Sequence, residues 1–342
     1  MNRIGKNKDG SVLILTVWVL CYLSILAVGA GNMAFSRLLF AKYAKNRLVS
    51  YYLAKAGIEK AIIMIEADED KGVVSFNIPI LSNEDAFMEY PCDTGFFSVC
   101  YAVSLEDEGS EGGKRFLYGA EDESSRININ KAPSGVLQKL LVNTADARPE
   151  EAYEIANSII DWRDKDSNLS DMGAEEQYYS ELDIPYHCKN SDFEVPEELM
   201  LVKGMNADIF SRISDIITVY GNGKVNINTA GKKTMLALGF SPEFADDVEE
   251  YRKGGDGVAG TDDDMVFMSP SEIRKAGLLS RADSDAVNFL SSDNILGVDS
   301  DVFRINSTGF ILKGDERYSR RIICFVQRKK GDIPLILRWI ED

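Results

Sequence analysis

The chain has 342 residues and a formal net charge of −17, from 55 acidic and 38 basic side chains. Binding of nucleic-acid phosphates needs a basic face, so this balance argues against a nucleic-acid partner. The single histidine, His187, leaves little material for a zinc site or a serine–histidine pair.

An apolar run covers residues 11–36 and contains no charged side chain. At about 1.5 Å per residue, a helix of this length exceeds the roughly 30 Å hydrocarbon core of a bilayer, so the run predicts a membrane-spanning helix. Ahead of it, Arg3, Lys6 and Lys8 outnumber Asp9. The positive-inside rule therefore places the N-terminus in the cytoplasm and the rest of the chain across the membrane.

The helical pattern continues beyond the apolar run. Apolar residues recur at three- and four-residue steps as far as Ile65, and the first proline is Pro79. One helix is therefore predicted over residues 11–67, with its first half suited to lipid and its second half packed on a soluble domain. This continuity argues against removal of the run as an ordinary secretory signal.

The remaining chain changes pattern twice. Residues 97–105 alternate between apolar and polar, which predicts a strand with one buried face, and residues 116–120 can return beside it. Three more strands are predicted near the C-terminus, at residues 302–312, 317–328 and 333–340. Helices are predicted between the two strand groups, at residues 133–141, 149–162, 206–219, 232–238 and 242–252.

This order of elements predicts an α+β fold. Residues 68–125 and 295–342 form one discontinuous domain with an antiparallel sheet, and residues 126–294 form a helical insertion within it. About 275 residues follow the N-terminal helix, enough for two or three domain cores.

An internal echo lies within the insertion. Residues 126–132 read RININKA and residues 224–230 read KVNINTA, each just before a predicted helix, where asparagine side chains can cap exposed amides. Helix-hairpin-helix modules have this pattern, and some bind DNA, so a membrane-tethered DNA-uptake protein is an alternative function. The acidic charge favours a role in protein packing instead.

The acidic stretch of residues 161–176 is the main candidate for ion binding. Asp164, Asp166, Asn168 and Glu175 stand at positions 1, 3, 5 and 12 of the EF-hand spacing, but Leu169 replaces the glycine of a true EF-hand turn. Converging oxygen donors predict calcium, whereas a solvated acidic loop is the plainer interpretation. The candidate ligands are Asp164, Asp166, Asp171, Glu175 and Glu176.

Two further interpretations concern acidic segments, one as a metal-dependent active site and one as a second candidate ion site. A membrane-bound hydrolase built around a metal in this stretch lacks a supporting nucleophile–base pair. Residues 254–264 are rich in glycine and aspartate, and their composition predicts an ordinary linker.

Five cysteines are present, and Cys21 lies within the apolar run. The other four would lie in a compartment that permits disulfides, and Cys92 and Cys100 are the nearest pair in sequence. This pair is a candidate disulfide, although spacing alone does not fix connectivity.

Taken in order, the motifs resemble the K-type minor pseudopilin of type II secretion systems, also called general secretion pathway protein K. The resemblance spans nearly the whole chain. It rests on the short leader ending in Gly10, the LTVWVL start of the membrane run, Ala56-Gly57-Ile58, the INxN segment, DWRDKDS, GAEEQYY, Lys189-Asn190, PEELMLVKGM and KVNINTA.

The resemblance implies how the N-terminus is processed. A prepilin peptidase would cleave between Gly10 and Ser11 and methylate the new amine of Ser11. Most relatives carry a glutamate at mature position five, where this chain has Leu15. A carboxylate in the bilayer must pair, in pilins with the amine of an adjacent subunit, and Leu15 needs no such partner.

The resemblance also implies the role of the whole chain. A non-enzymatic subunit of this kind sits at the tip of a periplasmic pseudopilus, joined to minor pseudopilins of the I and J types, and helps to initiate assembly for protein export. It would cross the inner membrane once, with a periplasmic globular part that carries calcium. The insertion would be SAM-like, related to helix-hairpin-helix domains.

Overall fold

The computed structural model describes residues 9–68, 72–104, 114–313, 316–329 and 332–342. Residues 1–8 of the predicted leader and Leu105 of the predicted strand lie outside these ranges. The helices and strands in chain order are α1 (Asp9–Ala67), α2 (Glu84–Phe87), β1 (Tyr90–Cys92), β2 (Gly95–Val99), β3 (Tyr101–Ser104), β4 (Lys114–Leu117), β5 (Glu121–Asp122), β6 (Ile127–Asn128), α3 (Ser134–Ala145), α4 (Pro149–Arg163), α5 (Glu176–Ser180), α6 (Ala207–Ile213), β7 (Ile217–Thr218), β8 (Val225–Asn226), α7 (Lys232–Leu238), α8 (Pro242–Arg252), α9 (Arg281–Ser292), β9 (Leu296–Gly297), β10 (Val302–Lys313), β11 (Glu316–Gln327) and β12 (Leu335–Glu341).

The first helix is one continuous rod, close to the predicted range. Residues 12–45 are exposed throughout, and this is the one helix of the described residues that is long and apolar enough to cross a bilayer. Farther along, Ala54, Ile58, Ala61 and Ile65 are fully buried at three- and four-residue steps. The second half of α1 therefore packs on the globular part, as its pattern predicts.

The main sheet supports this second half. Its strands run in the order β1-β2-β10-β11-β12, all antiparallel, and β5 also pairs with β10. Two glycines let helix and sheet approach closely. A Cβ on Gly57 would overlap Ser307 Oγ, and a Cβ on Gly309 would overlap the Ser50 carbonyl oxygen.

The predicted strand over residues 97–105 is wrong in its continuity. The strand is interrupted at Cys100, so that β2 pairs with β10 while β3 forms a separate hairpin with β4. The Cys100 amide still donates to the Asn306 carbonyl oxygen at 3.2 Å, and the chain then changes neighbours. Alternation persists through this change, so the sequence pattern does not reveal it.

The candidate disulfide between Cys92 and Cys100 is not formed, and both thiols are free. Cys92 stands opposite Gly95 in the β1–β2 register. Cys100 lies five residues beyond Gly95, about 17 Å along an extended chain, whereas a disulfide needs Cα atoms within about 7 Å. Burial raises the pKa of both thiols.

The insertion consists of two copies of one unit. Each begins with a short strand, continues through two helices, a loop, a 3-10 helix and a further helix, and ends with a strand that pairs in parallel with the first. The loop of the first unit also contains the short helix α5. The first unit runs from β6 to β7, with its 3-10 helix at Pro196–Leu201, and the second from β8 to β9, with its 3-10 helix at Pro270–Lys275. The predicted helix over residues 206–219 is therefore too long, since α6 ends at Ile213 and β7 closes the unit.

In each echoed motif one asparagine side chain makes two hydrogen bonds to the backbone of a phenylalanine far along the chain, an arrangement we call the clasp. In the first unit, Asn130 Nδ2 donates to the Phe193 carbonyl oxygen at 2.9 Å, and the Phe193 amide donates to Asn130 Oδ1 at 2.7 Å. Asn228 makes the same pair of bonds with Phe267, at 3.0 and 2.8 Å. The expectation that these motifs cap helices is wrong, because α3 and α7 have no side-chain cap.

An arginine completes each clasp, half-buried Arg163 in the first unit and buried Arg252 in the second. The Arg163 guanidinium donates to the carbonyl oxygens of Ile129 and Ala132, which lie in the first motif. Arg252 Nη1 donates to those of Ile227, at 3.1 Å, and Ala230, at 2.7 Å, in the second. Burial lowers the pKa of Arg163 to about 10 and lowers that of Arg252. Both motifs are thus saturated by contacts within the protein.

Two hydrophobic clusters result, one under α1 and the main sheet and one within the insertion between Ile127 and Val298. A buried polar junction joins the two parts. Asn226 Nδ2 donates to the Val74 carbonyl oxygen and to Asp122 Oδ2, both at 2.9 Å. Glu121 pairs with Arg126 at the start of the insertion and with Arg304 of β10.

Candidate metal site and membrane helix

Three carboxylates converge in the loop that follows α4. Asp164 is the C-cap of α4, Asp166 comes two residues later, and Glu175 is the N-cap of α5. One oxygen from each lies within 4.8 Å of the others. These three residues stand at positions 1, 3 and 12 of the EF-hand ligand spacing, so this spacing identifies the carboxylates that lie close together in the structure.

Three buried oxygens in this cluster lack a well-formed hydrogen bond, whereas Oδ1 of exposed Asp166 accepts the Asn168 amide at 2.8 Å. Glu175 is only 6% exposed, yet neither of its carboxylate oxygens accepts a well-formed hydrogen bond from the described residues, and buried Asp164 Oδ1 is also unsatisfied.

Burial raises the pKa of Glu175, and the charges of Asp161 and Asp164 raise it further. The Glu176 amide and the Cys188 thiol interact with Glu175 only weakly, and both lower its pKa in part. Burial, followed by the charge of Asp166, raises the pKa of Asp164.

Asp161 is a fourth acidic residue that the sequence reasoning missed. It is fully buried one helical turn before Asp164, and its carboxylate accepts the Ser170 amide at 3.2 Å. A Cβ on Gly173 would overlap Asp161 Oδ2, so the loop folds tightly over this carboxylate. The three-residue spacing from Asp164 on one helix face is the signal that could have found it.

The structure places Asp171 and Glu176, the other two predicted ligands, outside the cluster. Asp171 is exposed, and its Oδ2 accepts the Tyr153 hydroxyl at 3.3 Å. Glu176 contacts His187 Nδ1 at 2.6 Å and accepts the Cys188 amide at 2.8 Å, and its hydrogen bond with His187 is the main cause of its lowered pKa. Both oxygens of Glu176 are therefore already occupied.

The remaining three carboxylates suit a hard cation. Buried, unpaired carboxylate oxygens are costly unless they coordinate a metal or take up a proton, and oxygen ligands are what calcium prefers. The glycine- and aspartate-rich stretch of residues 254–264 behaves differently. Asp263 Oδ2 accepts the amides of Gly255 and Asp256, and Asp264 Oδ2 accepts that of Gly260, so these carboxylates are satisfied within the loop.

The predicted processing site lies at the start of α1. Gly10 and Ser11 are part of the helical backbone, and Leu15 follows within the exposed apolar half at 64% exposure. The segment is thus already helical where the mature chain would begin.

Known proteins resemble this chain over much of its length. A family model for type II secretion system (T2SS) protein K matches residues 116–222. Type II secretion system protein K of Aeromonas hydrophila is 33% identical over 239 residues, which cover 65% of this chain and 68% of the relative. The putative type II secretion system protein K of Escherichia coli K12 is 30% identical, covering 65% and 66%.

A solved structure has the same fold. One chain in the crystal structure of the GspK-GspI-GspJ complex from enterotoxigenic Escherichia coli matches with a TM-score of 0.60 and 16% identity, covering 90% of this chain and 99% of that one. The antiparallel sheet and long N-terminal helix agree with the pseudopilin-like fold that the sequence resemblance implies. The chain therefore belongs to the type II secretion system protein K family, the K-type minor pseudopilins.

Proposed function

We propose that this subunit anchors in the inner membrane, joins minor pseudopilins of the I and J types, and forms the tip of a periplasmic pseudopilus whose assembly it helps to initiate. The exposed half of α1 carries this proposal. Residues 12–36 present an apolar surface that the globular part leaves uncovered, on the same rod whose second half is packed on the sheet. Lipid before assembly and neighbouring helices after it would cover that surface.

The structural comparison supports the choice of I- and J-type pseudopilins as partners. The related fold was solved in a complex of GspK, GspI and GspJ, and a shared fold makes the corresponding partners of this chain the first candidates. A scaffolding role also suits the echoed motifs, because their asparagines and arginines are bound to backbone within the protein. These contacts and the net charge of −17 count against the DNA-uptake alternative.

Processing by prepilin peptidase tests the proposal directly. Mature protein isolated from membranes should begin at Ser11 with a methylated amine, and should co-purify with the I- and J-type subunits. Gly10→Ala should slow cleavage. An unchanged cleavage rate and N-terminus in this variant, or a mature chain beginning elsewhere, would refute the processing step.

Position at the tip rests on Leu15. Without a carboxylate at this site, the subunit cannot neutralise the amine of a subunit beside it in the manner of other pilins. We expect Leu15→Glu to permit incorporation away from the tip, seen as additional copies per pseudopilus by quantitative mass spectrometry. Normal stoichiometry and normal export in this variant would show that the missing charge does not set position.

We further propose that Asp164, Asp166 and Glu175 hold a calcium ion, which would screen their mutual repulsion and fix the loop between α4 and α5. The two carboxylate oxygens of Glu175, neither of which accepts a well-formed hydrogen bond, support this site. Calcium that binds only the folded state should raise the thermal unfolding midpoint of the full chain in detergent. An identical midpoint in calcium and in chelator would remove the site.

A further inference from the structure

Strand β11 is longer than the strand that covers its outer side. β10 pairs with its whole length, Glu316–Gln327, whereas β12 pairs only with Ile322–Gln327. Within the described residues, Arg317–Arg321 therefore has a neighbouring strand on one side alone, and we call this stretch of about 17 Å the β11 edge. Open edges are templates for pairing with another chain, so a folded protein covers them, protects them with charges or uses them for binding.

The main chain of the β11 edge directs hydrogen-bonding groups outward. In an antiparallel strand, the amide and carbonyl groups of alternate residues face opposite neighbours. The Asp342 amide donates to the Arg321 carbonyl oxygen at 3.1 Å from the open side, so the groups of Ser319 and Arg317 face that side as well. No described strand stands opposite them. Two amides and two carbonyl oxygens are thus presented at the spacing that an added strand would use.

A cavity of about 580 Å³ lies along this edge. Tyr43 and Arg47 of α1 line it, together with all of Arg317–Arg321 and with Asp342, which follows β12. The rings of Tyr43 and Tyr318 contact each other, 6.1 Å between centroids, and hold the helix beside the strand. The helix and the end of β12 therefore bound a space into which the unpaired main-chain groups open.

The cavity is basic, although the whole chain carries a net charge of −17. Of the four arginines that line it, Arg321 is paired with a carboxylate, whereas Arg47, Arg317 and Arg320 form no ion pair within the described part of the chain. Arg317 lies 4.2 Å from the centroid of the Phe310 ring, which orients the guanidinium while leaving it exposed. Guanidinium groups bind carboxylates strongly and directionally, so this charge favours an acidic strand over a neutral one.

We propose that the β11 edge receives an extended, acidic segment of a neighbouring I- or J-type pseudopilin as an additional strand of the main sheet. Main-chain hydrogen bonds to Arg317 and Ser319 supply binding that depends little on sequence, and carboxylates that meet Arg47 and Arg320 select the acidic segment. The same arginines discourage strands that lack carboxylates, as charges on an open edge do in general. This inference rests on the proposed function in assembly, and names a surface through which the subunits join.

Hydrogen exchange of the edge amides tests the proposal at the main chain. The full chain in detergent is compared alone and in complex with the I- and J-type subunits, with exchange measured at single residues. We expect the Arg317 and Ser319 amides to exchange more slowly in the complex, by on the order of tenfold or more. The Tyr318 amide is the internal control, since it faces β10 in both states and should change little.

Ser319→Pro separates main-chain pairing from a contact between side chains. Proline removes an amide that faces outward and leaves the ladder with β10 intact, which an edge strand tolerates. We expect this variant to bind the I- and J-type subunits roughly three- to tenfold more weakly. The matched control is Ser319→Ala, which keeps the amide and should bind normally. The exchange comparison needs no variant, so it decides the question even if Ser319→Pro fails to fold.

A second pair of variants tests the charge. Arg317→Gln/Arg320→Gln should weaken binding of the same subunits by about fivefold or more, and should make the binding that remains less sensitive to salt. The matched control is Arg148→Gln/Arg281→Gln, which removes two exposed cations from the insertion and should change nothing.

Three outcomes overturn this inference alone. They are edge amides that stay unprotected in an intact complex, normal binding by a folded Ser319→Pro variant, and normal binding by Arg317→Gln/Arg320→Gln. In the last case, self-association of the variant would show that the arginines only protect the edge. Failure of the unaltered chain to bind the I- and J-type subunits would instead refute the proposed function, and this inference with it.

Discussion

At Glu175, burial and repulsion act on the same carboxylate. The side chain is 6% exposed, interacts with the charges of Asp161 and Asp164, and accepts no well-formed hydrogen bond from the described residues. Its raised pKa means that the folded state binds a proton more readily than the unfolded state does. Without metal, stability should therefore fall as pH rises through the folded pKa of Glu175, and the loss should be complete above it.

This sign gives the first prediction. In chelator at neutral pH, Glu175→Gln should raise the unfolding midpoint, because it removes an unpaired buried charge. In calcium the order should reverse. The unaltered chain should gain about 2.7 kcal/mol when calcium exceeds its Kd a hundredfold, and the variant should lose that gain. Calorimetry in both buffers measures the two effects.

Asp171→Asn is the matched control, since Asp171 is acidic, exposed and outside the cluster. Its calcium response should equal that of the unaltered chain. A Glu175→Gln variant that still responds fully to calcium would show that the cation binds elsewhere.

Among the elements, α1 depends on one close contact with the sheet. Gly57→Ala would normally stabilise a helix by about 1 kcal/mol, but its Cβ would overlap Ser307 Oγ and crowd Phe97. We expect a net destabilisation of about 1–3 kcal/mol in chemical unfolding. Gly31→Ala, in the same helix with nothing within 4 Å, should leave unfolding of the globular part unchanged. Equal behaviour of the two variants would contradict the close packing.

The duplicated clasp is the second element to test. Arg252→Met should leave the Ile227 and Ala230 carbonyl oxygens without this donor, at a cost of about 1–3 kcal/mol in unfolding free energy. Arg148→Met changes an exposed arginine and should stay within about 0.5 kcal/mol of the unaltered chain. If Arg252→Met left the free energy of unfolding unchanged, water would have to satisfy those carbonyl oxygens in place of the arginine.

Regular elements could be predicted from the sequence because their patterns are local. Proline, glycine and apolar spacing predict the ranges of α7 and α8, whereas the echoed motifs mark where each unit begins but do not reveal that the whole unit is repeated. The break at Cys100 and the end of α6 at Ile213 could not be predicted, because partners far along the chain decide them. Likewise, spacing marked Asp164, Asp166 and Glu175, while only the folded loop separates them from Asp171 and Glu176.

For the molecule as a whole, the junction at Asp122 links two separate hydrophobic clusters. Asp122 is fully buried, and Asn226 and Thr229 donate to its Oδ2. Asp122→Ala should weaken this link by about 1–3 kcal/mol and let the two parts unfold in separate calorimetric transitions. Asp285→Ala, on the exposed face of α9, should preserve the transition of the unaltered chain. A single unshifted transition in both variants would show that other contacts hold the parts together.

The duplicated unit also bears on how such a subunit changes over time. In each copy the asparagine–phenylalanine bonds and the arginine fix both ends of the intervening loop. The two loops differ in how their carboxylates are bonded. The loop of the first unit has carboxylate oxygens without a hydrogen-bond partner, whereas carboxylates in the loop of the second unit accept hydrogen bonds from main-chain amides. Because both ends of each loop are fixed in this way, the loop sequence can be replaced, by evolution or by engineering, without changing the fold of the unit around it.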